Sequence, residues 1–331
     1  MVAVTGANGF VGAAVLKHLA ARGRPVRGIM RSTGDPRRLE GSGLEVVHTD
    51  LGDERSLARA LAGCGRVVHC AARSLDWGPA RAFRETNVEG TRRLVAAAGR
   101  TGVERLVHIS TANVAGYGRR RLSEDGAGSR PRFPYSRSKL ESERAARLEC
   151  SRSGLDLVIL RPSAVYGPGD WKWTYEMVRR LEVSAWPLVN GGKAVLTPVY
   201  IDNLTRAVEL ALEAEEVNGR AYNITDGVTV SWLEFCEKIA GALGVPLRVK
   251  SYPLLIAYPV GLLSEAAGTV LNPVQGPRLT RYRIIRSCRD FHYTDERARR
   301  ELGYRPDPDL DRHLAETVRW YRSVRKRESP S

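Results

Sequence analysis

Three glycines at fixed spacing follow an apolar segment at the start of the chain: Gly6, Gly9 and Gly12 in VAVTGANGFVG. The next residues, AAVLKHLAARG, have helical spacing, so the glycines lie between a predicted strand and a predicted helix. In that setting Gly6 opens a tight turn, Gly9 lets the backbone approach a pyrophosphate, and Gly12 permits close helix packing. The amides at the start of the helix can then bind the phosphates, and the segment predicts a dinucleotide site. The other predicted contacts in this turn are Asn8, Phe10 and Val11.

Short apolar segments alternate with helical patterns through the first half of the chain. Near-continuous apolar strands of this kind are typical of a parallel sheet covered by helices on both faces. The predicted fold class is therefore α/β, a Rossmann doubly wound parallel sheet with a smaller C-terminal substrate-binding lobe. We expect residues 1–165 to form the dinucleotide-binding domain, with 199–226 returning to it, and 166–198 with 227–331 to form the lobe. The predicted strands are VAVTG, VRGIMR, LEVVHTD, RVVHCAA, RLVHIST and LDLVILRP.

The end of the second predicted strand indicates which cofactor the site prefers. Where an NAD-binding protein usually has Asp or Glu to hold the ribose, this chain has Arg31. A guanidinium can pair with a 2′-phosphate and stack on adenine, which favours NADP. Ser32 and either Arg37 or Arg38 are the expected helpers. Asp35 could instead fold back to the ribose, so NAD stays open.

Asp50 and Leu51 end the third predicted strand. Strand ends of a parallel sheet meet at one edge, which places this pair near the predicted cofactor. We expect the carboxylate of Asp50 to accept from the adenine amino group and Leu51 to pack on the ring.

Tyr135 and Lys139 are four residues apart in YSRSK, which stacks them on one face of a helix. An ammonium group at that distance can lower the pKa of a phenol towards the working range. The spacing therefore predicts that Tyr135 is a proton donor or acceptor.

The formal net charge of +15 does not by itself indicate a nucleic-acid partner. Only seven of the 52 basic residues are lysines, and the arginines are scattered through nearly every segment. That distribution is typical of solvated faces rather than of a polyanion site. The expected partner is a small-molecule substrate, with no nucleic acid.

Cysteine, histidine and hydropathy patterns exclude several other classes. Five cysteines form no CxxC pair and six histidines are scattered, so neither a metal site nor a disulfide framework is predicted. No signal peptide is recognised before the first strand, and a reducing cytoplasm is the expected compartment. The longest apolar run, PLLIAYPVGLL at 253–263, is too short to span a bilayer and is interrupted by Pro259. It could touch a membrane peripherally, and a homodimer remains open.

Ten short segments in a fixed order carry a family resemblance. The chain resembles an extended short-chain dehydrogenase/reductase of the NAD(P)-dependent epimerase/dehydratase superfamily. Within that group it is similar to the branch of 3β-hydroxysteroid and sterol-carboxylate dehydrogenases. The segments are TGANGFVG at the start, DL at 50–51, CAA at 70–72, NVEGT at 87–91, STANVAG at 110–116, YSRSK at 135–139, LRPSAVYGPGD at 160–170, PVYIDNLTRAV at 198–208, YNITDG at 222–227 and ELGYRPD at 301–307.

The resemblance implies roles for individual residues. Tyr135 is the acid/base, and Lys139 binds the nicotinamide ribose and tunes the tyrosine. Thr111 takes the place usually held by Ser, although Ser110 has the more usual chemistry. Adjacent strand residues face opposite sides, so one of the two can point at the substrate, and we choose Thr111. Asn87 is a supporting candidate. Further cofactor contacts implied by the resemblance are Cys70, Ala71, Ala72, Pro162 and Ser163.

The implied reaction is hydride transfer between nicotinamide and a bulky apolar secondary alcohol or ketone, of 3β-hydroxysteroid or sterol-like type. We expect substrate contacts from the loop at 73–83, from 163–178 and from the apolar 252–274 region. The aromatic candidates are Trp77, Phe83, Tyr166, Trp171, Trp173, Tyr175 and Trp186. The alternatives are a sugar-nucleotide epimerase or dehydratase, a reductase of flavonoid-like or β-keto substrates, and a non-enzymatic dinucleotide sensor.

Overall fold

Seven parallel strands form the central sheet, in a computed structural model that describes residues 1–35, 37–125, 131–271, 276–277 and 279–328. Valine is frequent in these strands because β-branched side chains pack well on a pleated surface. In chain order the strands are β1 Val2–Thr5, β2 Val26–Met30, β3 Val46–His48, β4 Arg66–His69, β5 Arg105–Ile109, β6 Arg119–Leu122, β7 Asp156–Pro162, β8 Ala164–Tyr166, β9 Trp186–Val189, β10 Val195–Leu196, β11 Pro198–Tyr200, β12 Ala221–Ile224, β13 Val230–Ser231, β14 Val249–Tyr252 and β15 Phe291–Tyr293. Across the central sheet the order is β12, β7, β5, β4, β1, β2, β3.

Helices cover both faces of this sheet. In chain order they are α1 Phe10–Ala21, α2 Glu54–Leu61, α3 Ala80–Arg84, α4 Gly90–Gly99, α5 Pro134–Ser153, α6 Trp173–Val183, α7 Ile201–Glu213, α8 Trp232–Leu243, α9 Leu254–Leu271, α10 Arg281–Cys288, α11 Glu296–Glu301 and α12 Leu310–Glu328. Helices α1 and α7 bury their apolar residues on one face of the sheet, and α2, α4 and α5 bury theirs on the other. The predicted α/β fold class is confirmed.

Strand β1 is the point where the strand order changes direction. It pairs in parallel with β2 on one side and with β4 on the other. Chains that leave neighbouring strands towards opposite faces open a crevice at the carboxyl edge of such a sheet. The glycine-rich turn, which follows β1 directly, therefore lies at the place where ligands bind in this fold.

The segment near 199–226 includes a strand of the central sheet. Strand β12 pairs in parallel with β7, residue Ala221 opposite Ile159. Helices α6, α8 and α12 pack on one another through a separate apolar cluster that contains Met177, Phe235 and Val318. The boundaries of the two predicted domains stay a proposal.

Helix α9 carries apolar side chains that are exposed. Leu255 and Leu263 are 89% and 69% accessible to solvent, and Ile256, Val260 and Leu262 are also exposed. The predicted peripheral membrane contact through 253–263 stays a prediction. Residues 272–274 of the predicted apolar region lie outside the described residues.

Candidate active site

The turn after β1 has the geometry that its glycines predict. Gly6 has a φ of +68°, and a Cβ added there would lie 2.8 Å from the backbone of Ala71. A Cβ on Gly12 would collide with the carbonyl oxygen of Gly6. No side chain caps the start of α1 at Gly9. The turn is thus narrow, and its first helical amides have no side-chain acceptor, as an anion site at a helix N-terminus requires.

The turn opens into a cleft of about 700 Å³ at the carboxyl edge of the sheet. Residues at or directly after the ends of β1, β2, β3, β4, β5 and β7 line it. Most of the residues predicted from the sequence to bind the cofactor or to act in catalysis are part of this wall. They are Gly6, Asn8, Gly9, Phe10, Val11, Gly12, Arg31, Asp50, Leu51, Cys70, Ala71, Ala72, Thr111, Tyr135, Lys139, Pro162 and Ser163.

Two arginines lie at the end of the cleft that β2 and β3 form. Arg31 is exposed and lines the cleft. Arg38 is more constrained, because its Nη1 donates to the carbonyl oxygen of Asn8 at 2.9 Å and its Nε to that of Gly169 at 3.2 Å. Arg38 therefore joins the glycine-rich turn to the loop after β8, and Arg31 is the more accessible cation.

Asp35 does not reach the cleft wall. Its carboxylate accepts hydrogen bonds from the guanidinium of Arg37, with Nη2 to Oδ2 at 2.7 Å. These bonds hold the pKa of Asp35 at about 2. The alternative in which Asp35 turns back to hold a ribose stays a prediction. Ser32 and Arg37, two of the three predicted helpers, also lie outside the cleft wall, and Arg38 lies in it.

The residues of the cleft fit a dinucleotide. The hydroxyl oxygen of Thr49 is buried in the cleft wall without a hydrogen-bond partner in the described chain. Asp50 uses one oxygen to accept from the amide of Gly52 at 2.7 Å, and Leu51 lies against Gly90. A buried hydroxyl without a partner is satisfied when a polar ligand occupies the cleft that it lines.

Lys139 is buried and points its ammonium at the sheet. Its Nζ donates to the carbonyl oxygen of Ile109 at 2.7 Å, and 2% of the residue is exposed. Burial lowers the pKa of Lys139 to about 8, although Glu143 raises it. The side chain is therefore fixed at the cleft wall, and it loses its proton more readily than a solvent-exposed lysine does.

Buried side chains next to Lys139 form a hydrogen-bonded chain. His69 contacts Thr5 at 2.8 Å through Nδ1 and Thr91 at 3.0 Å through Nε2, and Thr91 contacts Ser142, which reaches His108. Burial lowers the pKa of His69 to about 3, and the charge of the lysine adds to the shift. Both histidines are thus held neutral, which avoids a second charge beside the ammonium group.

Ser110 and Thr111 have different surroundings. The hydroxyl of Ser110 donates to Oε1 of Glu143 at 2.5 Å, and Glu143 is also paired with Arg161 at 2.7 Å. Thr111 Oγ1 accepts one long bond, at 3.4 Å, from the amide of Asn113. The hydroxyl of Ser110 thus donates its proton to a buried ion pair, whereas the hydroxyl of Thr111 can donate a hydrogen bond into the cleft.

Tyr135 lies in the first turn of α5 and lines the cleft. Burial raises its pKa, the neighbouring Tyr282 raises it further, and Arg286 lowers it. Arg286 is thus a cation that lowers the pKa of Tyr135, and the ammonium of Lys139 donates to the sheet backbone. The effect of Lys139 on the phenol stays a prediction.

Asn87 joins two segments of the cleft and does not itself line it. Its Oδ1 accepts from the amide of Arg73 at 2.7 Å, and its Nδ2 donates to Ser138 Oγ at 2.8 Å. It therefore ties the loop after β4 to α5, one residue before Lys139.

Most of the aromatic residues predicted to contact substrate lie outside the cleft wall. Trp173 lines the cleft, but the others are absent from its wall in the described part of the chain. Tyr175 and Trp171 pack against Trp320 of α12, and Tyr166 is buried against Phe235. The other three are Trp77, which lies against Gly276, Phe83, which is buried under Arg73, and Trp186, which packs in the lobe cluster. The described residues of 252–271 do not line the cleft either.

Sequence reasoning missed three residues that line the cleft. Tyr282 and Arg286 come from α10, and Tyr293 comes from β15. Asn113 connects them, because its Nδ2 donates to Tyr282 Oη and its Oδ1 accepts from Tyr293 Oη, both at 3.2 Å. The signal that could have found them is the i, i+4 spacing of Tyr282 and Arg286, which places both on one helix face.

No cluster of metal-binding side chains occurs among the described residues. Within the same residues, no helix is long and apolar enough to cross a bilayer.

Comparison with known proteins decides the family. The model of the NAD dependent epimerase/dehydratase family matches residues 2–225. The chain belongs to this family. A relative from Stenotrophomonas maltophilia, 2-alkyl-3-oxoalkanoate reductase, is 30% identical over 95% of the chain and 97% of its own length. Sterol demethylase protein B from Methylococcus capsulatus is 32% identical over 96% of the chain and 97% of its own length.

A solved member of the family has the same fold. The dTDP-glucose 4,6-dehydratase of Streptomyces venezuelae, a double mutant with NAD bound, superposes with a TM-score of 0.80. It is 29% identical, and the match covers 98% of both chains. The predicted superfamily and the prediction of a nicotinamide-dependent enzyme are confirmed.

Proposed function

We propose that the chain is an NADP-preferring dehydrogenase/reductase of a bulky apolar secondary alcohol or ketone, of 3β-hydroxysteroid or sterol-like type. One observation carries the proposal. Thr111, Tyr135 and Lys139 line the same cleft as the glycine-rich turn, and Trp173, Trp232, Phe291 and Tyr293 give this cleft an aromatic wall. The similarity to a sterol demethylase component and to a ketone-reducing enzyme supports this substrate class.

The chain's own residues supply the proton chemistry. When bound, the nicotinamide cofactor gives a hydride to, or takes one from, the carbon of the substrate C–O group. Tyr135, whose pKa is raised by burial, is protonated at neutral pH and donates its proton to the carbonyl oxygen during reduction. Thr111 donates a hydrogen bond to the same oxygen as negative charge develops on it. Lys139 would hold the nicotinamide ribose from its fixed place at Ile109.

The preference for NADP is assigned to Arg31. Its guanidinium lines the cleft and is exposed, so it can meet a 2′-phosphate without breaking an existing ion pair among the described residues. Asp35, the carboxylate that would favour NAD, is held by Arg37. NAD use remains the alternative, since NAD is bound in the solved relative.

A cofactor titration followed by a substrate panel tests the proposal. Purified protein is titrated with NADPH and NADH, and then offered secondary alcohols and ketones from short aliphatic to sterol-like, with the nicotinamide absorbance band as the readout. We expect turnover of bulky apolar compounds and little turnover of short ones. Turnover confined to small polar alcohols would contradict the substrate class.

A sugar-nucleotide epimerase or dehydratase is the second candidate, favoured by the likeness to the dTDP-glucose dehydratase. An enzyme of that type restores its cofactor within each cycle, so the protein would purify with cofactor bound and show no net absorbance change. Reduction of a β-keto substrate is a variant of the first candidate, favoured by the 2-alkyl-3-oxoalkanoate reductase.

A further inference from the structure

Arg286 brings a guanidinium to the cleft wall, and no described residue pairs with it. The two other arginines near it on α10 are both in ion pairs. Arg281 pairs with Glu265, and Arg283 pairs with Asp76. A partly buried cation without a counter-charge is costly, so this position is one where an anionic ligand is stabilised.

An aromatic platform holds the Arg286 side chain. Its guanidinium carbon lies 4.7 Å from the centre of the Trp173 ring. Trp173 is fixed in turn, because Trp232 meets it edge-on and Phe235 stacks on it, each at 6.1 Å. The backbone carbonyl of Arg286 accepts from Trp232 Nε1 at 2.9 Å, which anchors the end of α10. A guanidinium stacked on an indole is oriented in advance, and its N–H edge stays free for a planar anion.

The acidic side chains of the cleft do not neutralise Arg286. Four carboxylates line the wall: Asp50, Asp76, Glu85 and Asp170. Each is engaged elsewhere, by backbone amides or by another arginine. The positive charge of Arg286 therefore has no counter-charge among these four carboxylates, and an anionic ligand can supply one.

Arg286 also lies close to the reacting group. It shares a helix face with Tyr282, and both side chains act on the pKa of Tyr135, Tyr282 raising it and Arg286 lowering it. Both side chains line the cleft with Tyr135. An anion bound to Arg286 is thus near the oxygen that Tyr135 protonates.

We propose that Arg286 binds a carboxylate carried by the substrate beside its reacting C–O group, an inference that rests on the proposed function. The substrate class is then a hydroxy or keto acid with a bulky apolar remainder. The two oxygens of a carboxylate can accept from two N–H groups of one guanidinium, which gives orientation as well as affinity. Arg286 would place the C–O group against Tyr135 and Thr111 while the apolar part fills the aromatic wall.

The test compares an acid with its neutral ester. 3-Hydroxydecanoate and methyl 3-hydroxydecanoate are titrated into protein saturated with oxidised cofactor by calorimetry, and kcat/KM is measured for the same pair. We expect the wild type to prefer the acid. Arg286→Met should lower that preference about ten- to a hundred-fold, because it removes a charge-assisted pair that only the acid can form, so kcat/KM should fall further for the acid than for the ester. Arg286→Lys should restore part of the preference.

Arg289→Met is the matched control, because Arg289 is exposed directly after α10 and loses the same charge. It should keep the wild-type preference. An equal loss for acid and ester in Arg286→Met, with a shifted pH profile of kcat, would overturn the proposal and assign Arg286 to the charge state of Tyr135. Tight binding of UDP that Arg286→Met abolishes, without a preference for the acid, would overturn it in favour of a diphosphate.

The two failures are distinguishable. If the wild type binds the acid more tightly than the ester but oxidises neither, Arg286 is supported and the proposed reaction is contradicted. If it oxidises both with equal kcat/KM and binds them equally, the reaction stands and the role of Arg286 is overturned.

Discussion

Ser110 and Thr111 offer a pair of substitutions with opposite expected effects. Ser110 Oγ donates to Glu143 at 2.5 Å inside a buried ion pair with Arg161, so Ser110→Ala should cost about 1.5–3 kcal/mol of unfolding free energy. Turnover should stay within a few-fold, because the lost hydroxyl is not available to the cleft. Thr111 Oγ1 accepts a single long bond from the amide of Asn113. Thr111→Val should therefore cost about 1 kcal/mol or less in stability.

The same Thr111→Val change should lower kcat about 10²- to 10³-fold, the loss typical of one donor to a developing oxyanion. Urea unfolding gives the stability of each variant, and initial rates at saturating cofactor give kcat. Circular dichroism of the folded variants is the control for misfolding. The reasoning is refuted if Ser110→Ala loses the rate while Thr111→Val keeps it.

Three further predictions follow from the cleft. Lys139→Ala should weaken cofactor binding and lower kcat together, because one ammonium group serves both the ribose and the active site. Fluorescence titration measures the binding and initial rates measure kcat. A loss in only one of the two would contradict that dual role. NADP should bind about ten- to a hundred-fold tighter than NAD. Arg31→Asp should reverse the order, since it replaces a cation with a carboxylate that repels the 2′-phosphate. Equal dissociation constants of the wild type for the two cofactors would mean that Arg31 does not hold the phosphate. The pKa of His69 is about 3 in the folded chain, below its ordinary 6.5. Below pH 6.5 the unfolded chain therefore binds more protons than the folded chain, and the free energy of unfolding falls as the pH falls towards 3. By pH 4.5 that loss should reach about 2–3 kcal/mol, and His69→Gln should remove this part of the pH dependence in urea unfolding; an unchanged pH slope would show that His69 is not buried in its neutral form.

Local patterns in the sequence were sufficient to predict which residues lie together in one half of the cleft. The spacing of Gly6, Gly9 and Gly12 constrains a single turn, and the Tyr135 to Lys139 spacing constrains a single helix. Both depend on contacts within about a dozen residues, so the neighbouring sequence determines their geometry. The cleft wall contains all of these residues, and their roles in cofactor binding and catalysis stay a prediction.

The other half depends on contacts that are distant in the chain. Trp171 and Tyr175 are aromatic residues of the kind expected to contact an apolar substrate. The packing of α12 places Trp320 against them, so they do not line the cleft. Tyr282 and Arg286 reach the cleft because α10 packs beside Tyr135, nearly 150 positions earlier in the sequence. The i, i+4 spacing of Tyr282 and Arg286 places both on one helix face, but it does not show which surface that face meets, so the spacing alone does not assign them to the cleft.

The central claim is that Tyr135 moves the proton in a reaction whose cofactor lies on the glycine-rich turn. The most direct measurement is kcat for the Tyr135→Phe variant on the best substrate of the panel, together with its dissociation constant for NADPH. The account predicts that turnover is lost while cofactor affinity stays within a few-fold of the wild type, because the substitution removes only the transferable proton. A Phe variant that keeps most of its turnover would contradict the account.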